Sequence, residues 1–333
     1  MKNRERVQAV LHFEKPDDRL PMIEWASWWD ETLRAWQAQG LSPEIPWHEL
    51  APALGLDRHV QFWLPHRMAD CPQPAYNGGP IMEDEETYEK LLPCLYPRQE
   101  MEPLLRAMQE QKEKHARGEF PVWYTLEGAF WFPRTLFGIE NHLYSFYDYP
   151  ELYHRILRDL AQWQIRQLDR IYEILTPDFM TFAEDMSYNN GPMISQEIFN
   201  EFLAPYYRTI VPVIQSHGTR VIVDTDGNVS KMIPWMRAVG IEGVLPLERQ
   251  AGVDIAALRA AYPDFLFIGA FAKMTMRRSV PAMREEFERL LPVMKSGGFI
   301  PSVDHQTPPD CPLERYRRYI ELLEEYAVKA VKD

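Results

Sequence analysis

Residues 219–248, TRVIVDTDGNVSKMIPWMRAVGIEGVLPLE, contain the pattern that decides the fold. The apolar run VIV at 221–223 has no polar alternation, which is typical of a parallel strand buried on both faces. The apolar residues that follow recur at helical spacing, at Met232, Ile233, Met236 and Val239. This stripe ends at Gly240, and a second short apolar run follows at 243–247. The stretch therefore predicts one β–α–β unit of a parallel sheet.

The same alternation of β-rich runs and longer helical patterns extends along the chain. The candidate strands are Leu20–Trp25, His59–Leu64, Phe120–Leu126, Asp178–Ala183, Thr219–Asp224, Gly243–Leu247, Phe265–Ala270 and Phe299–Asp304. A closed (β/α)8 barrel needs eight such strands. We therefore predict an α/β fold, a TIM-type (β/α)8 barrel that forms a single domain over residues 1–333. Residues 37–103 are rich in Pro, Trp and acidic residues, and we interpret them as an elaboration after the first strand, either a lid or a dimer contact.

Composition narrows the classes of partner. The chain has 333 residues and a net charge of −13, so its surface repels nucleic acid and anionic membranes. No stretch has enough uninterrupted apolar residues to span a bilayer, and the amino terminus opens into an amphipathic helix without an apolar signal segment. These features predict a small-molecule substrate.

The cysteine pattern points to a reducing compartment. Cys71, Cys94 and Cys311 are odd in number and widely spaced, so they form neither a CxxC metal motif nor a disulfide framework. We predict reduced thiols and a cytoplasmic protein.

Residues with ionisable side chains follow nearly every predicted strand. They are Glu24, Glu127, Glu184, Asp185, Asp224, Asp226, Glu248, Lys273, Asp304 and His305. Barrel enzymes carry their chemistry at these strand ends, so the side chains are expected to converge on one mouth. So many carboxylates cannot all stay ionised at close quarters without a bound cation, shared protons or a cationic ligand.

Two hypotheses follow from this convergence. The first is a metal site built from Asp224, Asp226, Glu248 and His305, whose oxygens and imidazole suit zinc, manganese or another divalent ion. The second is metal-free acid–base chemistry by a carboxylic acid of raised pKa beside an ionised one. The residues also have non-functional interpretations: Asp226 or Asn228 as a helix cap, Glu184 and Asp185 in caps or ion pairs, and His305 as a loop histidine.

Five segments resemble the uroporphyrinogen-decarboxylase-like superfamily. They are NRERVQAVLHFEKPDDRLPMIEW at 3–25, GAFWFPRTLFGIENHLYSFYDYPEL at 128–152, ISQEIFNEFLAPYYRTIV at 194–211, DTDGNVSKMIPWMRAVGIEGVLPLE at 224–248 and GGFIPSVDHQTPPDCPLERYRRYIELL at 297–323. The resemblance implies a (β/α)8 barrel with a cleft at its carboxyl face, and a homodimer. Members of the superfamily include uroporphyrinogen decarboxylases and methyltransferases that move methyl groups between corrinoid proteins and thiols.

Two departures from the family patterns bear on the reaction. Decarboxylases of the family have Arg-Gln-Ala-Gly-Arg after the first strand, whereas residues 24–29 here read EWASWW, and Arg134 is the nearest candidate cation. A polycarboxylate substrate requires guanidinium partners. The methyltransferase branch has His-x-Cys-Gly-Asn at the fifth strand, where residues 224–228 here read DTDGN. This difference replaces soft ligands by hard ones.

We therefore predict methyltransferase-like or demethylase-like chemistry on a small, neutral or cationic methylated substrate, with a corrinoid protein as a partner. Asp224, Asp226, Glu248 and His305 would bind a divalent metal. Residues predicted to handle protons or act in catalysis are Glu184, Asp185, Tyr188 and His305. Residues predicted to contact substrate are Glu24, Trp25, Trp28, Glu127, Arg134 and Asn228.

Two alternatives stay open at this point. A uroporphyrinogen decarboxylase, or another metal-free decarboxylase, would have three or more arginines lining the mouth. A non-catalytic binding barrel would have its mouth blocked by the tryptophan-rich segment.

Overall fold

The computed structural model describes residues 1–332 and has one curled sheet of seven parallel strands at its centre. In chain order the strands of the chain are β1 Val60–Trp63, β2 Val122–Glu127, β3 Phe179–Ala183, β4 Ser187–Tyr188, β5 Gly191–Pro192, β6 Arg220–Asp224, β7 Gly243–Leu245, β8 Leu266–Phe271 and β9 Phe299–Val303. The sheet order is β1-β2-β3-β6-β7-β8-β9, and β4 pairs only with β5 in a small antiparallel hairpin. Seven of the eight predicted strands are confirmed.

The helices surround this sheet. They are α1 Asn3–Leu11, α2 Asp30–Gln37, α3 Trp47–Leu54, α4 Glu85–Leu91, α5 Met101–Ala116, α6 Trp131–Phe137, α7 Ile139–Asp148, α8 Pro150–Tyr172, α9 Gln196–Ile198, α10 Ala204–Ser216, α11 Ile233–Arg237, α12 Ile255–Ala261, α13 Val280–Met294 and α14 Leu313–Val331. Among the described residues, no helix combines the length and the apolar character that crossing a bilayer requires. Every residue of β3 and of β8 is buried, because helices cover one face of the sheet and the barrel interior covers the other.

The prediction of a strand at Leu20–Trp25 is wrong. The segment lies between the edge strands β1 and β9, but it forms no ladder with them: one backbone hydrogen bond, from the Asp57 N–H to the Met22 carbonyl (2.8 Å), is supplemented by side chains. The Asp57 carboxylate accepts the Met22 N–H (3.0 Å), and Glu24 Oε1 accepts the N–H of Val303 (3.2 Å). Pro21 cannot donate a backbone hydrogen bond, which further disfavours a strand here. At this seam the segment is therefore joined to the edges of the sheet largely by side chains.

The segment at 37–103 contains strand β1 and short helices, and two of its cysteines are paired. Cys71 and Cys94 form a disulfide with Cα atoms 5.2 Å apart, while Cys311 is free and buried. The prediction that all thiols are reduced is wrong for this pair. The Met68 N–H donates to the Cys94 carbonyl (2.8 Å), and this backbone pairing brings the two cysteines together. Their separation in sequence is 23 residues, so spacing alone does not indicate it.

A π-helical turn at Phe199–Leu203 separates α9 from α10. Such turns shift the register of the side chains that follow them and are frequent near functional sites. After this turn Tyr206 donates to Gln164 Oε1 (2.5 Å), and Tyr207 donates to Glu184 Oε1. The turn therefore directs two tyrosine hydroxyls toward the carboxyl ends of the strands.

We predict that Asp57→Ala lowers the free energy of unfolding by about 3 kcal/mol, because it leaves a largely buried Arg19 without its partner. Arg19 donates to both oxygens of Asp57, at 2.8 and 2.5 Å. Urea unfolding followed by circular dichroism measures the change. Glu86→Ala, at an exposed residue that pairs with Lys90, is the control and should change stability by less than about 0.5 kcal/mol. Equal effects of the two substitutions would show that the seam does not depend on Asp57.

Candidate active site at the carboxyl ends of the strands

The register of the sheet places several strand-end residues at one level. Glu127 pairs with Ala183, and Ala183 pairs with Asp224, which in turn pairs with Leu245. Paired residues of neighbouring parallel strands point to the same side of the sheet. The loops that follow these strands therefore start from a common rim, which is the mouth of the barrel.

Three of the predicted metal ligands come together at this mouth. Asp226, Glu248 and His305 each offer a ligand atom, and these atoms all lie within 4.8 Å of one another. The His305 Nε2 atom lies 3.3 Å from Asp226 Oδ2. The Nδ1 atom of His305 is buried and has no hydrogen-bond partner among the described residues. Two carboxylates and an imidazole form a set of hard and borderline donors that suits a divalent ion.

The loop after β6 is held in place by its glycine and by the β4–β5 hairpin. Gly227 has φ +81°, and a Cβ atom at this position would lie 2.5 Å from the Tyr188 Cα. The Gly227 N–H donates to Glu248 Oε2 (2.8 Å), and the Asn228 N–H donates to the Tyr188 carbonyl (2.9 Å). Only glycine allows this close approach, which fixes Asp226 beside Glu248.

Asp224 and Asp185 enlarge the acidic cluster. Burial and the neighbouring carboxylates of Asp226 and Asp185 raise the pKa of Asp224 well above its usual range. Among the described residues, no group donates a hydrogen bond to the Asp224 carboxylate. Burial, followed by the charge of Asp226, also raises the pKa of Asp185. The cluster is therefore stable only when protons or a cation reduce its negative charge.

The cations at the mouth are few and mostly engaged. Arg134 donates to the Asp185 carbonyl (3.3 Å), and its guanidinium lies 5.0 Å from the centre of the Trp131 ring. Burial lowers the pKa of Lys273, while the nearby carboxylates, Asp304 first among them, raise it. These two positively charged side chains are fewer than the carboxylates around them.

Glu184 differs from its neighbour Asp185 because it lies behind the mouth. It accepts the backbone N–H groups of Ala129 (2.8 Å), Phe130 (2.7 Å) and Trp131 (3.1 Å) as well as the hydroxyl of Tyr207. It is buried, and burial raises its pKa to about 7. Its carboxyl group holds the first turn of α6 and does not contact the space where a substrate would bind.

Two other predicted side chains are also used inside the fold. Asp304 accepts the N–H groups of Arg249 and Lys273, each at 3.0 Å, and thereby joins the loops after β7 and β8. The Asn228 amide donates to the Ala251 carbonyl (3.1 Å), and its oxygen accepts the Ser230 N–H (3.2 Å). These contacts place both residues at the mouth as supports for its loops.

Glu127 has partners that the sequence did not indicate. Its Oε2 atom accepts from Arg67 Nη2 (3.3 Å), and its Oε1 atom lies 4.0 Å from His66 Nδ1. His66 is buried, and its Nε2 atom lies 3.0 Å from the Gln164 amide nitrogen. Because that amide donates to Nε2, the proton of neutral His66 lies on Nδ1, on the side of Glu127. Both partners follow β1 as Pro-His-Arg, in a stretch without helical or strand periodicity.

Two of the cavities at this end of the molecule are lined by most of the predicted site residues. The acidic cavity has a volume of about 310 Å³ and is lined by Arg134, Asp185, Tyr188, Asp226, Gly227 and Glu248, among others. The tryptophan cavity has a volume of about 470 Å³ and is lined by Glu24, Trp25, Trp28, Trp47, His59, Gln61 and Trp63, among others. Trp47, His59, Gln61 and Trp63 were not among the predicted site residues. They lie in the elaboration and in β1, where the sequence pattern is weakest.

Most predicted site residues thus line one of these two cavities. Trp25 lines the tryptophan cavity, and its ring packs edge-on against His305 with ring centroids 6.3 Å apart. Glu24 and Trp28 line the same cavity. Glu184 is the predicted catalytic residue that the structure places away from both cavities, since its oxygens face α6 and Tyr207.

One family profile and several solved structures are similar to this chain. The profile described as Uroporphyrinogen decarboxylase (URO-D) matches residues 68–326. A methyltransferase from Methanosarcina mazei has 17% sequence identity and a TM-score of 0.67, and the match covers 98% of this chain and 99% of that one. A B12-independent methionine synthase from Shewanella sp. W3-18-1, in complex with selenomethionine, has 10% identity and a TM-score of 0.41, with 66% of each chain covered. No curated protein matches the sequence.

We predict that Glu24 makes the fold less stable as the pH rises from 4.5 to 7. Burial raises the pKa of Glu24 from 4.5 to about 7, so the folded state binds this proton more tightly than the unfolded state does. Its contribution is full below pH 4.5 and is lost by pH 7, a change of at most about 3 kcal/mol.

Glu24→Gln removes the ionisable group. The glutamine keeps an oxygen that can accept from Val303 and Ser302, and its amide nitrogen is a polar group that faces the Tyr316 hydroxyl. Urea unfolding at pH 4.5, 6 and 8 should show the variant gaining stability relative to the natural protein as the pH rises. A stability difference that does not change with pH would contradict the raised pKa.

Proposed function

The chain belongs to the uroporphyrinogen decarboxylase (URO-D) family, and we propose that within this family it is an enzyme that transfers a methyl group from a small methylated substrate with the help of a divalent metal. Asp226, Glu248 and His305 would hold the metal. The observation that carries this proposal is the convergence of three ligand atoms within 4.8 Å from three separate strand ends.

The residues at this position fit a metal in three respects. They supply oxygen and imidazole donors, which divalent ions such as zinc and manganese accept. Burial, and after it the repulsion among Asp185, Asp224 and Asp226, raises the pKa of Asp185 and of Asp224, and a cation would relieve that repulsion. The unpartnered His305 Nδ1 is a buried polar atom that the described residues do not satisfy.

A metal bound here would act as a Lewis acid that polarises the heteroatom bearing the methyl group. The protein's own groups would manage the proton. The methyl group moves to a nucleophilic acceptor as a CH3+ equivalent, and the released heteroatom takes a proton from the Asp185 or Asp224 carboxyl group. Both groups suit this role because burial and the neighbouring carboxylates raise their pKa values, which makes each a weaker acid that holds its proton more tightly than an ordinary aspartate does. The Tyr188 hydroxyl, on an exposed side chain that lines the acidic cavity, would contact the substrate.

Decarboxylation of a porphyrinogen receives less support from the same geometry. A polycarboxylate substrate needs several guanidinium partners, and among the described residues Arg134 is the one arginine that lines the two cavities, while Arg34 lines a third cavity that shares Trp28. The other open alternative, a barrel whose mouth is blocked, is not favoured either. The tryptophan-rich segment surrounds a cavity of about 470 Å³ and does not fill it.

The proposal also includes properties of the protein beyond the site itself. Four properties stay predictions: a corrinoid protein as the methyl acceptor, a homodimer, a single domain over the whole chain and a cytoplasmic location. The same holds for the role of residues 37–103 as a lid or a dimer contact.

We predict that the purified protein, prepared without chelator, binds about one divalent ion per chain. Asp226→Asn and His305→Ala should each weaken binding at least tenfold, because each removes one of the converging ligand atoms. Elemental analysis and calorimetric titration with Zn²⁺ and Mn²⁺ measure the change.

Glu127→Gln is the matched control, since Glu127 is also an acid at the mouth but pairs with Arg67 outside the three-residue cluster. It should leave metal affinity within about twofold. A natural protein that contains no metal and takes up neither ion would remove the proposed site.

We also predict methyl transfer to free cob(I)alamin, followed by its absorbance change, from at least one donor among methylated amines and aryl methyl ethers. Asp226→Asn should lower the rate about 100-fold, because the polarising ion is lost. Glu242→Gln, which alters an acid paired with Arg220 at the start of β6, should leave the rate unchanged. Decarboxylation of a porphyrinogen in place of methyl transfer would contradict the proposal.

A further inference from the structure

We infer that the tryptophan cavity binds an uncharged, flat aromatic ring of the substrate and holds the substrate's reacting group toward His305. The inference rests on the proposed function in one respect only, because it takes the acidic cluster as the place of reaction. The cavity itself is defined by residues that have no part in the proposed metal site.

The lining of the cavity is dominated by indole rings. Trp25, Trp28, Trp47 and Trp63 line it, and its volume of about 470 Å³ lies within the range of about 300–1,000 Å³ that small-molecule sites occupy. Trp47 and Trp63 are 60% and 53% exposed, which is unusual for two large apolar rings around one cavity. An aromatic ring stacked against them would cover surface that now faces water.

The exposed Trp63 ring is oriented by a hydrogen bond from inside the barrel. With the amide of Gln61 turned to satisfy its neighbours, its oxygen accepts from Trp63 Nε1 (3.1 Å) and from Trp123 Nε1 (3.2 Å). Trp25 is fixed in a similar way, because its Nε1 donates to the Val303 carbonyl (2.7 Å). Two walls of the cavity are therefore set before any ligand enters, which reduces the entropy lost on binding.

Trp25 connects this cavity to the acidic cluster. One side of Trp25 lines the tryptophan cavity, and its ring meets His305 edge-on at a centroid distance of 6.3 Å. His305 in turn lies 3.3 Å from the Asp226 carboxylate. Because Trp25 forms a wall of the cavity and contacts His305, a ring bound against Trp25 lies one side chain away from the place where the proposed ligands converge.

The charges around the cavity favour a neutral ring over a cation. Burial lowers the pKa of His59 to about 4, so this imidazole is uncharged at neutral pH. Glu24, the carboxylic acid in the lining, is buried and accepts hydrogen bonds from Ser302, Val303 and Tyr316, so it has little capacity to pair with a ligand cation. The carboxylates with open acceptor capacity, Asp224 among them, lie in the acidic cluster.

The test compares three probes that share one benzene ring and differ in charge: 4-methoxyphenol, phenyltrimethylammonium and 4-methoxybenzoate. Isothermal titration with the full-length protein should show 4-methoxyphenol binding at least about tenfold more tightly than either ion. Trp47→Ala and Trp63→Ala should each weaken that binding about 3- to 10-fold, the range expected for loss of one aromatic contact.

Tyr147→Ala is the matched control, because Tyr147 is 72% exposed on α7 and is not part of the cavity lining. It should leave binding unchanged. Preference for the ammonium probe, or equal binding in Trp47→Ala, Trp63→Ala and the natural protein, would overturn the inference. If the natural protein binds 4-methoxyphenol but no divalent metal, only the proposed function is overturned.

Discussion

Electrostatic repulsion among carboxylates at the ends of the parallel strands is the constraint on which the site depends. Asp224 ends β6, and Asp185, Asp226 and Glu248 follow β3, β6 and β7, so the fold brings all four to one rim. Neighbouring negative charges contribute to raising the pKa of Asp185 and of Asp224. An arrangement of this kind lowers the stability of the folded protein unless protons or a cation occupy it. Its presence at an open mouth therefore indicates a function that requires a cation or a transferable proton there.

The other buried acids of the barrel show how the fold treats carboxyl groups that serve the structure. Glu184 accepts three backbone N–H groups at the start of α6 and the Tyr207 hydroxyl of α10, and Glu24 accepts two hydrogen bonds from β9 and one from Tyr316 of α14. Asp304 accepts two backbone N–H groups from neighbouring loops. Asp224 has no donor of this kind among the described residues. Glu248 accepts one backbone N–H, from Gly227 (2.8 Å), so the acids of the cluster keep more open acceptor positions than the structural acids do.

Local pattern was sufficient for most of the fold and for part of the site. Uninterrupted apolar runs identify β3 and β8, and the acids after the strands identify the cluster. The segment at Leu20–Trp25 was mistaken for a strand because the contacts of Glu24 with Val303 link residues far apart in sequence. Glu184 and Asp185 are adjacent and look equivalent in sequence, but Asp185 has φ +47°, and this left-handed conformation separates the directions of the two side chains. Trp47 and Trp63 were missed because loop geometry, which has no periodic signature, brings them together.

The central claim is that Asp226, Glu248 and His305 bind one divalent ion. Anomalous diffraction from crystals grown with Zn²⁺ or Mn²⁺ tests it most directly. The account predicts one anomalous peak within about 2.0–2.2 Å of an oxygen of each carboxylate and of a His305 ring nitrogen. Density that shows a water molecule between these side chains, with no anomalous signal at saturating metal, would contradict it.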